Sequence, residues 1–369
     1  MHFQTDVNSQ SRTVVDLICR RMGLGSVPTG QYSSNGLPHI SEKMTLREIA
    51  RVAVENASGI EKSNWPAHYD VAARAMTTSD FSNILADVSN KQLAAAYAAR
   101  PASFTKWASS GSAPNFKPLH ISRLSAPGVL PEVLEDGEFK NIYMDDASEV
   151  VRIRTYGGIL GLTRQTIIND DLDALRDSSR LLSQSAALTQ TSLALQPLTG
   201  SAVMSDGLPL FSADRENLLS GSESVLSADS LAAGVAVMRR FKDTNGQPLS
   251  IEPKYLIVGP GNERLAYQLC YSNADPGTSN SGTVNFIKES VGLEVIVDPL
   301  LETSSLTAWY LLPDPAVTPV IRYYTLDGGD LAPYIESKQG FVRDSLEFKT
   351  RVDFGAGAIS TFGVKSAGA

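Results

Sequence analysis

Three short stretches of this 369-residue chain place residue types where chemistry could occur. Gly259-Pro260-Gly261-Asn262-Glu263-Arg264 follows an apolar run and opens a helical pattern. In that setting a Gly-x-Gly-x-x-Gly loop cradles a dinucleotide pyrophosphate on backbone amides. Here Arg264 stands where the third glycine belongs, and Pro260 removes an amide donor. A plain strand-to-helix turn is the better reading. Asp170, Asp171 and Asp173 could hold a cation, but acids at the start of a helix suit its positive end without one. Ser222, inside Ser220-Gly221-Ser222-Glu223-Ser224, does not complete the Gly-x-Ser-x-Gly of a nucleophile elbow. His2, His39, His68 and His120 lie far apart with no ligand spacing. No Walker loop, His-Glu-x-x-His or EF-hand loop occurs. The sequence therefore assigns no catalytic residue, no cofactor-binding residue and no metal ligand.

Composition narrows the class further. Asp and Glu number 40 against 32 Lys and Arg, a net charge of −8, which is not the basic footprint of a phosphate-gripping protein. The charge is uneven: residues 1–76 hold 8 basic and 7 acidic side chains, and the remainder is strongly acidic. Cys19 and Cys270 alone fit a reduced compartment rather than a disulfide framework. No apolar run is long enough to cross a bilayer, and Met1 to Gln10 lack a signal-peptide pattern.

The elements that must position any site are of two kinds. Some bury themselves poorly. Residues 1–76 read as two short helices with a Gly-, Ser- and Pro-rich linker: an apolar face of Val14, Val15, Leu17, Ile18 and Met22, then a capping box at Thr45-Leu46-Arg47-Glu48. Neither is stable alone in water, so the segment must lie on the body or on a neighbour. A helix from about Asp80 to Arg100 carries Phe81, Ile84, Leu85, Val88 and Tyr97, and residues 101–118 read as a Pro- and Ser-rich connection. Residues 121–163 read as a long hairpin. Its first arm holds Glu132, Glu135, Asp136, Glu138 and Lys140; its return strand sets Val151, Ile153 and Thr155 on one face and Arg152 and Arg154 on the other. Two strands bury too little to stand alone, so the hairpin must rest on another surface. A rod of about 25 residues at 1.5 Å each follows, from Asn169-Asp170-Asp171 to a stop at Pro197 and Gly200, with Leu172, Leu175, Leu182, Ala186 and Leu193 as its stripe.

Other elements read as self-sufficient. A helix begins near Ser227; Tyr255–Val258, Leu293–Val297, Trp309–Leu312 and Val320–Thr325 read as strands, with a helix at 262–271. A last extended segment alternates Leu346, Phe348, Thr350 and Val352 against Glu347, Lys349, Arg351 and Asp353, and leads into a small Gly-rich tail.

Several ordered motifs resemble one family. Thr77-Thr78-Ser79-Asp80-Phe81-Ser82-Asn83-Ile84-Leu85 is similar to the opening of the major capsid domain of tailed phages and prophages, often encoded behind a ClpP-like prohead protease. The resemblance runs on through Gly157-Gly158-Ile159-Leu160-Gly161-Leu162-Thr163-Arg164-Gln165, Met204-Ser205-Asp206-Gly207-Leu208-Pro209-Leu210-Phe211, Pro253-Lys254-Tyr255-Leu256-Ile257-Val258 and Arg351-Val352-Asp353-Phe354-Gly355. It spans about residues 77–360 and departs after Gly355, where Ala356-Gly357-Ala358-Ile359 replaces the family's polar and aromatic residues.

The resemblance implies an α+β protein of the Hong Kong 97-type capsid fold, related to the Mu-like major head subunit. Its parts would be an N-terminal arm at 1–76, the start of the peripheral domain at 77–120, an extended hairpin loop with its return strand at 121–163, a spine helix at 164–204, an axial domain at 205–340, and a C-terminal strand at 341–369 returning to the peripheral domain. It implies a non-enzymatic major capsid protein of the virion, assembled in the host cytoplasm into hexamers and pentamers around double-stranded DNA. Inter-subunit contacts would fall on Glu132, Glu135, Asp136, Glu138, Lys140, Arg152 and Arg154. Portal, scaffold, prohead protease and decoration protein are the further partners, and no membrane is involved. Lys140 matches no crosslinking motif. An encapsulin-like nanocompartment shares this fold but generally lacks a long N-arm. A soluble α/β nucleotide-binding enzyme using the Gly259 turn is a remoter reading.

Overall fold

The computed structural model describes residues 79–99, 102–124, 146–163, 172–200, 202–221, 224–242, 246–274, 276, 284–339 and 345–368. The helices read before residue 77, the first arm of the hairpin, Asp170, Asp171 and Ser222 lie outside them. In chain order the elements are α1 (Ser79–Ala98), β1 (Ser109–Ala113), β2 (Leu119–Leu124), β3 (Asp146–Val151), β4 (Arg154–Thr163), α2 (Leu172–Thr199), β5 (Leu218–Leu219) and α3 (Ala228–Arg239). Then come β6 (Pro253–Val258), α4 (Glu263–Tyr271), β7 (Glu294–Val297), β8 (Trp309–Pro313), β9 (Ile321–Leu326), β10 (Tyr334–Gln339), β11 (Ser345–Ala358) and β12 (Val364–Ser366). The chain forms two units. One takes residues up to Pro101, Thr155–Leu188 and Asp330–Val352; the other takes Ala102–Arg154, Thr189–Gly329 and Asp353–Ala369.

In the first unit, β10 pairs antiparallel with the start of β11, from Tyr334↔Arg351 to Gln339↔Leu346. The predicted alternation holds there: Phe348, Thr350 and Val352 are buried, Lys349 and Arg351 exposed. Helix α1 rests on β10. Asn90 fixes that contact, its amide donating to Ile335 O (3.1 Å) and accepting from Ile335 N (2.8 Å). One side chain thus satisfies both backbone groups of a strand residue. Strand β4 also joins β11. Gly157 permits the approach, because a Cβ there would sit 2.4 Å from Thr350 O.

In the second unit the main sheet runs β5-β12-β8-β6-β7. Strands β6 and β7 are parallel, and β8 is antiparallel to both β6 and β12. Both faces are covered, as an unbroken apolar run requires. Leu256, Val258, Trp309 and Leu311 meet Leu231, Val235 and Met238 of α3 and Ala266, Leu269 and Cys270 of α4. On the alternate positions, Ile257, Tyr310 and Leu312 are buried too, and the Tyr310 ring lies 5.9 Å from that of Phe211. A capping box starts α3: Ser227 Oγ accepts from Ser230 N (3.1 Å), and Ser230 Oγ accepts from Ser227 N (2.9 Å).

Three expectations need correction. The supposed connection at 101–118 contains a helical turn, Phe104–Trp107, and strand β1. Ser109-Ser110-Gly111-Ser112 carries no strand pattern; β1 forms because it pairs in parallel with β9, far along the chain. Phe104 anchors the turn among Tyr323 and Phe354, with ring centroids at 5.0 and 5.4 Å. The Gly-rich tail is also strand, since β11 continues to Ala358 and its end pairs with β9. Helix α2 runs 28 residues and passes through Pro197. Its buried stripe is Ser179, Ser183, Ala186, Gln190 and Ala194, joined at the helix end by Leu195 and Leu198, rather than the leucines read from sequence, of which Leu182 and Leu193 are only half-buried. Small side chains let a helix backbone approach its support closely, which apolar patterning does not detect.

Candidate assembly surface

The predicted contact residues fall into two groups. Glu132, Glu135, Asp136, Glu138 and Lys140 lie outside the described residues. Arg152 and Arg154 are described and both are exposed. Between them the chain turns its apolar residues inward: Val151 is 3% exposed and Ile153 2%. These two form a small core with Ala113 and Tyr324, and Leu119 and Ile121 of β2 pack against it. Thr155 departs from the expected face and is exposed, because β3 ends at Val151 and β4 begins at Arg154.

This core anchors the base of the hairpin. β2 and β3 are antiparallel and in register from Leu119↔Val151 to Leu124↔Asp146, so the chain departs and returns at one place. Beneath it lies the end of β11. A Cβ at Gly355 would fall 2.3 Å from Arg152 O, and one at Gly357 2.4 Å from Val151 Cγ2. The Asp-Phe-Gly glycine and the small residues after it are therefore what the return strand sits on. In sequence Gly355 closes a motif that matches the family, and the small residues after it appeared only as a departure from the family pattern.

The dinucleotide lookalike at Gly259 resolves structurally. Gly261 N donates to Glu302 Oε1 at 2.6 Å. A carboxylate from the Pro299–Thr303 turn thus takes the amide that a phosphate would need, and a Cβ at Gly259 would meet Glu302 Cγ at 2.7 Å. The two glycines make room for that side chain. Among the described residues no cluster of His, Cys, Asp or Glu could hold a metal ion, and no helix is long and apolar enough to cross a membrane. Cys270 is buried on α4, and burial pushes its thiol up to about 12. At pH 8 it is expected to resist a disulfide-exchange reagent in the folded subunit and to react once in denaturant, with a lag set by unfolding; rapid native labelling would contradict this packing.

Sequence patterning missed the exposed apolar residues of the long helix. Leu181 is 59% exposed and Leu188 57%. Seven residues apart, they share one face of α2. Also missed was Glu149 of β3, only 5% exposed although it alternates in a strand of polar residues. Its Oε1 accepts from Ser205 Oγ at 2.8 Å and its Oε2 from Ser205 N at 3.0 Å. The signal that could have found it is alternation, which sets Glu149 on the same strand face as the buried Val151.

A family described as phage capsid protein matches residues 146–365, more than half of the chain. No curated protein matches it. Among solved structures, the capsid of Ralstonia phage GP4 aligns at 10% identity and a TM-score of 0.50, over 68% of this chain and 81% of that one. A Microbacterium phage Oxtober96 structure aligns at 11% identity and 0.48, over 72% and 86%. The capsid of cyanophage P-SCSP1u aligns at 11% and 0.48, over 73% and 89%. At such identities the likeness is one of fold, and the family match carries the assignment. The chain belongs to the phage capsid protein family, adopts the α+β Hong Kong 97-type fold, and is a major capsid protein that self-assembles into the shell of the virion.

Proposed function

We propose that copies of this chain form hexamers and pentamers of an icosahedral head that encloses double-stranded DNA, assembled in the bacterial cytoplasm for a tailed phage. In this reading the hairpin of one copy, residues 121–163, lies over helix α2 of the next copy in the ring. Residues 77–120, 164–204 and 341–369 make the peripheral domain, and 205–340 the axial domain. Portal, scaffold, prohead protease and decoration protein join during assembly. The reading contains no catalytic step.

The observation that carries it is the pair Leu181 and Leu188, left exposed on one face of a long helix. Full burial of a leucine contributes about 1.5–3 kcal/mol, so covering two that are half-exposed contributes roughly 2 kcal/mol per contact. Rim pairs between Glu132, Glu135, Asp136 or Glu138 and Arg152 or Arg154 add about 0–1 kcal/mol each and set orientation. The acidic body suits an inner wall that does not hold DNA.

Replacing both leucines by glutamine keeps helix propensity and removes the apolar cover. The double variant is expected to match the parent in thermal unfolding of the subunit and to need at least tenfold more protein to form shells, since 1.4 kcal/mol is a factor of ten. An unchanged critical concentration would remove α2 from the contact. Negative-stain images separate a DNA-filled head with a portal vertex from a cargo-filled nanocompartment.

A further inference from the structure

Within the second unit, β3, the end of α2 with the loop after it, and the end of β11 line a cleft of about 380 Å³. Glu149 lines it, with Ser205 the partner of both its oxygens. Among the described residues no Lys or Arg pairs with it. A carboxylate has about four acceptor sites, and burying one without a cation is costly. Much of the remaining wall is small and apolar, and Val150 and Val203 stand at it 54% and 69% exposed. The matching occupant is a cation flanked by aliphatic side chains.

One segment outside the described residues has that composition. Val14, Val15, Leu17 and Ile18 run directly into Arg20 and Arg21. We infer that this cleft receives the Val14–Arg21 segment of a second copy of the chain, an arginine pairing with Glu149 while the aliphatic residues cover Val150 and Val203. The inference rests on self-assembly as proposed above. A segment folded onto its own subunit adds nothing between subunits; crossing to a neighbour, it adds to the large area that a permanent interface needs.

Cys19 lies inside the segment, which makes the test direct. Full-length Val203→Cys protein is assembled, oxidised mildly and run on a non-reducing gel. The expected result is a ladder of disulfide-linked chains, abolished by Cys19→Ser and reproduced by Val150→Cys, a second exposed position. Val317→Cys, 81% exposed and outside the cleft, should give no ladder. Adding Glu149→Gln to Val203→Cys should lower the yield at least threefold. Particles without a ladder, or a fast-migrating monomer from a link within one chain, overturn the inference and leave assembly standing. An unchanged yield with Glu149→Gln overturns the charge pairing. Failure of the unmodified protein to form particles overturns the assembly reading and this inference together.

Discussion

Deleting residues 127–144 is expected to leave a soluble, folded subunit that forms no particles at any attainable concentration. The deletion is geometrically mild. Leu124 and Asp146 are direct antiparallel partners, and such Cα atoms lie about 4.5–5.5 Å apart. Ser125, Ala126 and Asp145 remain as a three-residue hairpin connection, an ordinary length. The small core below is untouched, since Val151, Ile153, Ala113 and Tyr324 all survive. A deletion carried on through residue 146 would remove the last pair of the β2–β3 ladder and confuse loss of assembly with loss of fold. The subunit should keep its far-UV circular dichroism and unfold within a few degrees of the parent. Assembly should vanish, because the residues removed include the whole acidic arm and, on the proposed reading, the cover for Leu181 and Leu188. Sedimentation and electron microscopy read the outcome. Normal shells from this variant would mean that the hairpin is dispensable and that subunits meet elsewhere.

What could be read from the residues, and what could not, follows from the range over which each element is determined. Strands β6 and β8 and helices α3 and α4 were legible because their apolar runs and caps are local: Tyr255–Val258 is buried on both faces whichever strand lies beside it. Strand β1 was not, because Ser109-Ser110-Gly111-Ser112 acquires its conformation only from β9, more than two hundred residues away in the chain. The Gly-rich end of β11 was invisible for the same reason; its glycines report a close approach by residues 151–153 and not a flexible tail. At the candidate surface, alternation correctly turned Arg152 and Arg154 outward and Val151 and Ile153 inward. Carried back two residues, the same alternation puts Glu149 on the inward face with Val151; residue type hid it, since a glutamate in a strand reads as solvent-facing until Ser205 is brought against it by the fold. Leu181 and Leu188 were hidden by the opposite error. A leucine-rich helix suggests buried leucines, and here serine, alanine and glutamine take the buried stripe as far as Ala194, with leucines buried only at the helix end, at Leu195 and Leu198.

Trp309→Ala is expected to destabilise the subunit by about 3–5 kcal/mol, the largest effect of any single substitution considered. Trp309 is fully buried on β8, inside the cluster formed with α3 and α4. Its indole ring defines the spacing between sheet and helix: a Cβ at Gly234 of α3 would lie 3.2 Å from Trp309 Cη2 and 2.9 Å from Leu311 Cδ1. Helix α3 can sit so close only because position 234 has no side chain, and removing the indole opens a cavity that this tight helix contact cannot readily fill. The polar end of the ring matters separately. Nε1 donates to Ser224 O at 3.0 Å, a carbonyl that also accepts from Ser366 Oγ on β12. Trp309→Phe keeps most of the volume and loses the donor, leaving Ser366 to satisfy the carbonyl, so a loss of about 1–2 kcal/mol is expected. Urea unfolding of unassembled subunits measures both. Domains carry about 5–15 kcal/mol in total, so the alanine variant should show a much lower midpoint and assemble poorly from its unfolded fraction. A shell stabilises only the folded subunit; the deficit should therefore shrink in preassembled particles. Equal losses in free subunit and particle would mean that assembly does not draw on the folded state of this unit, against the role assigned to it here.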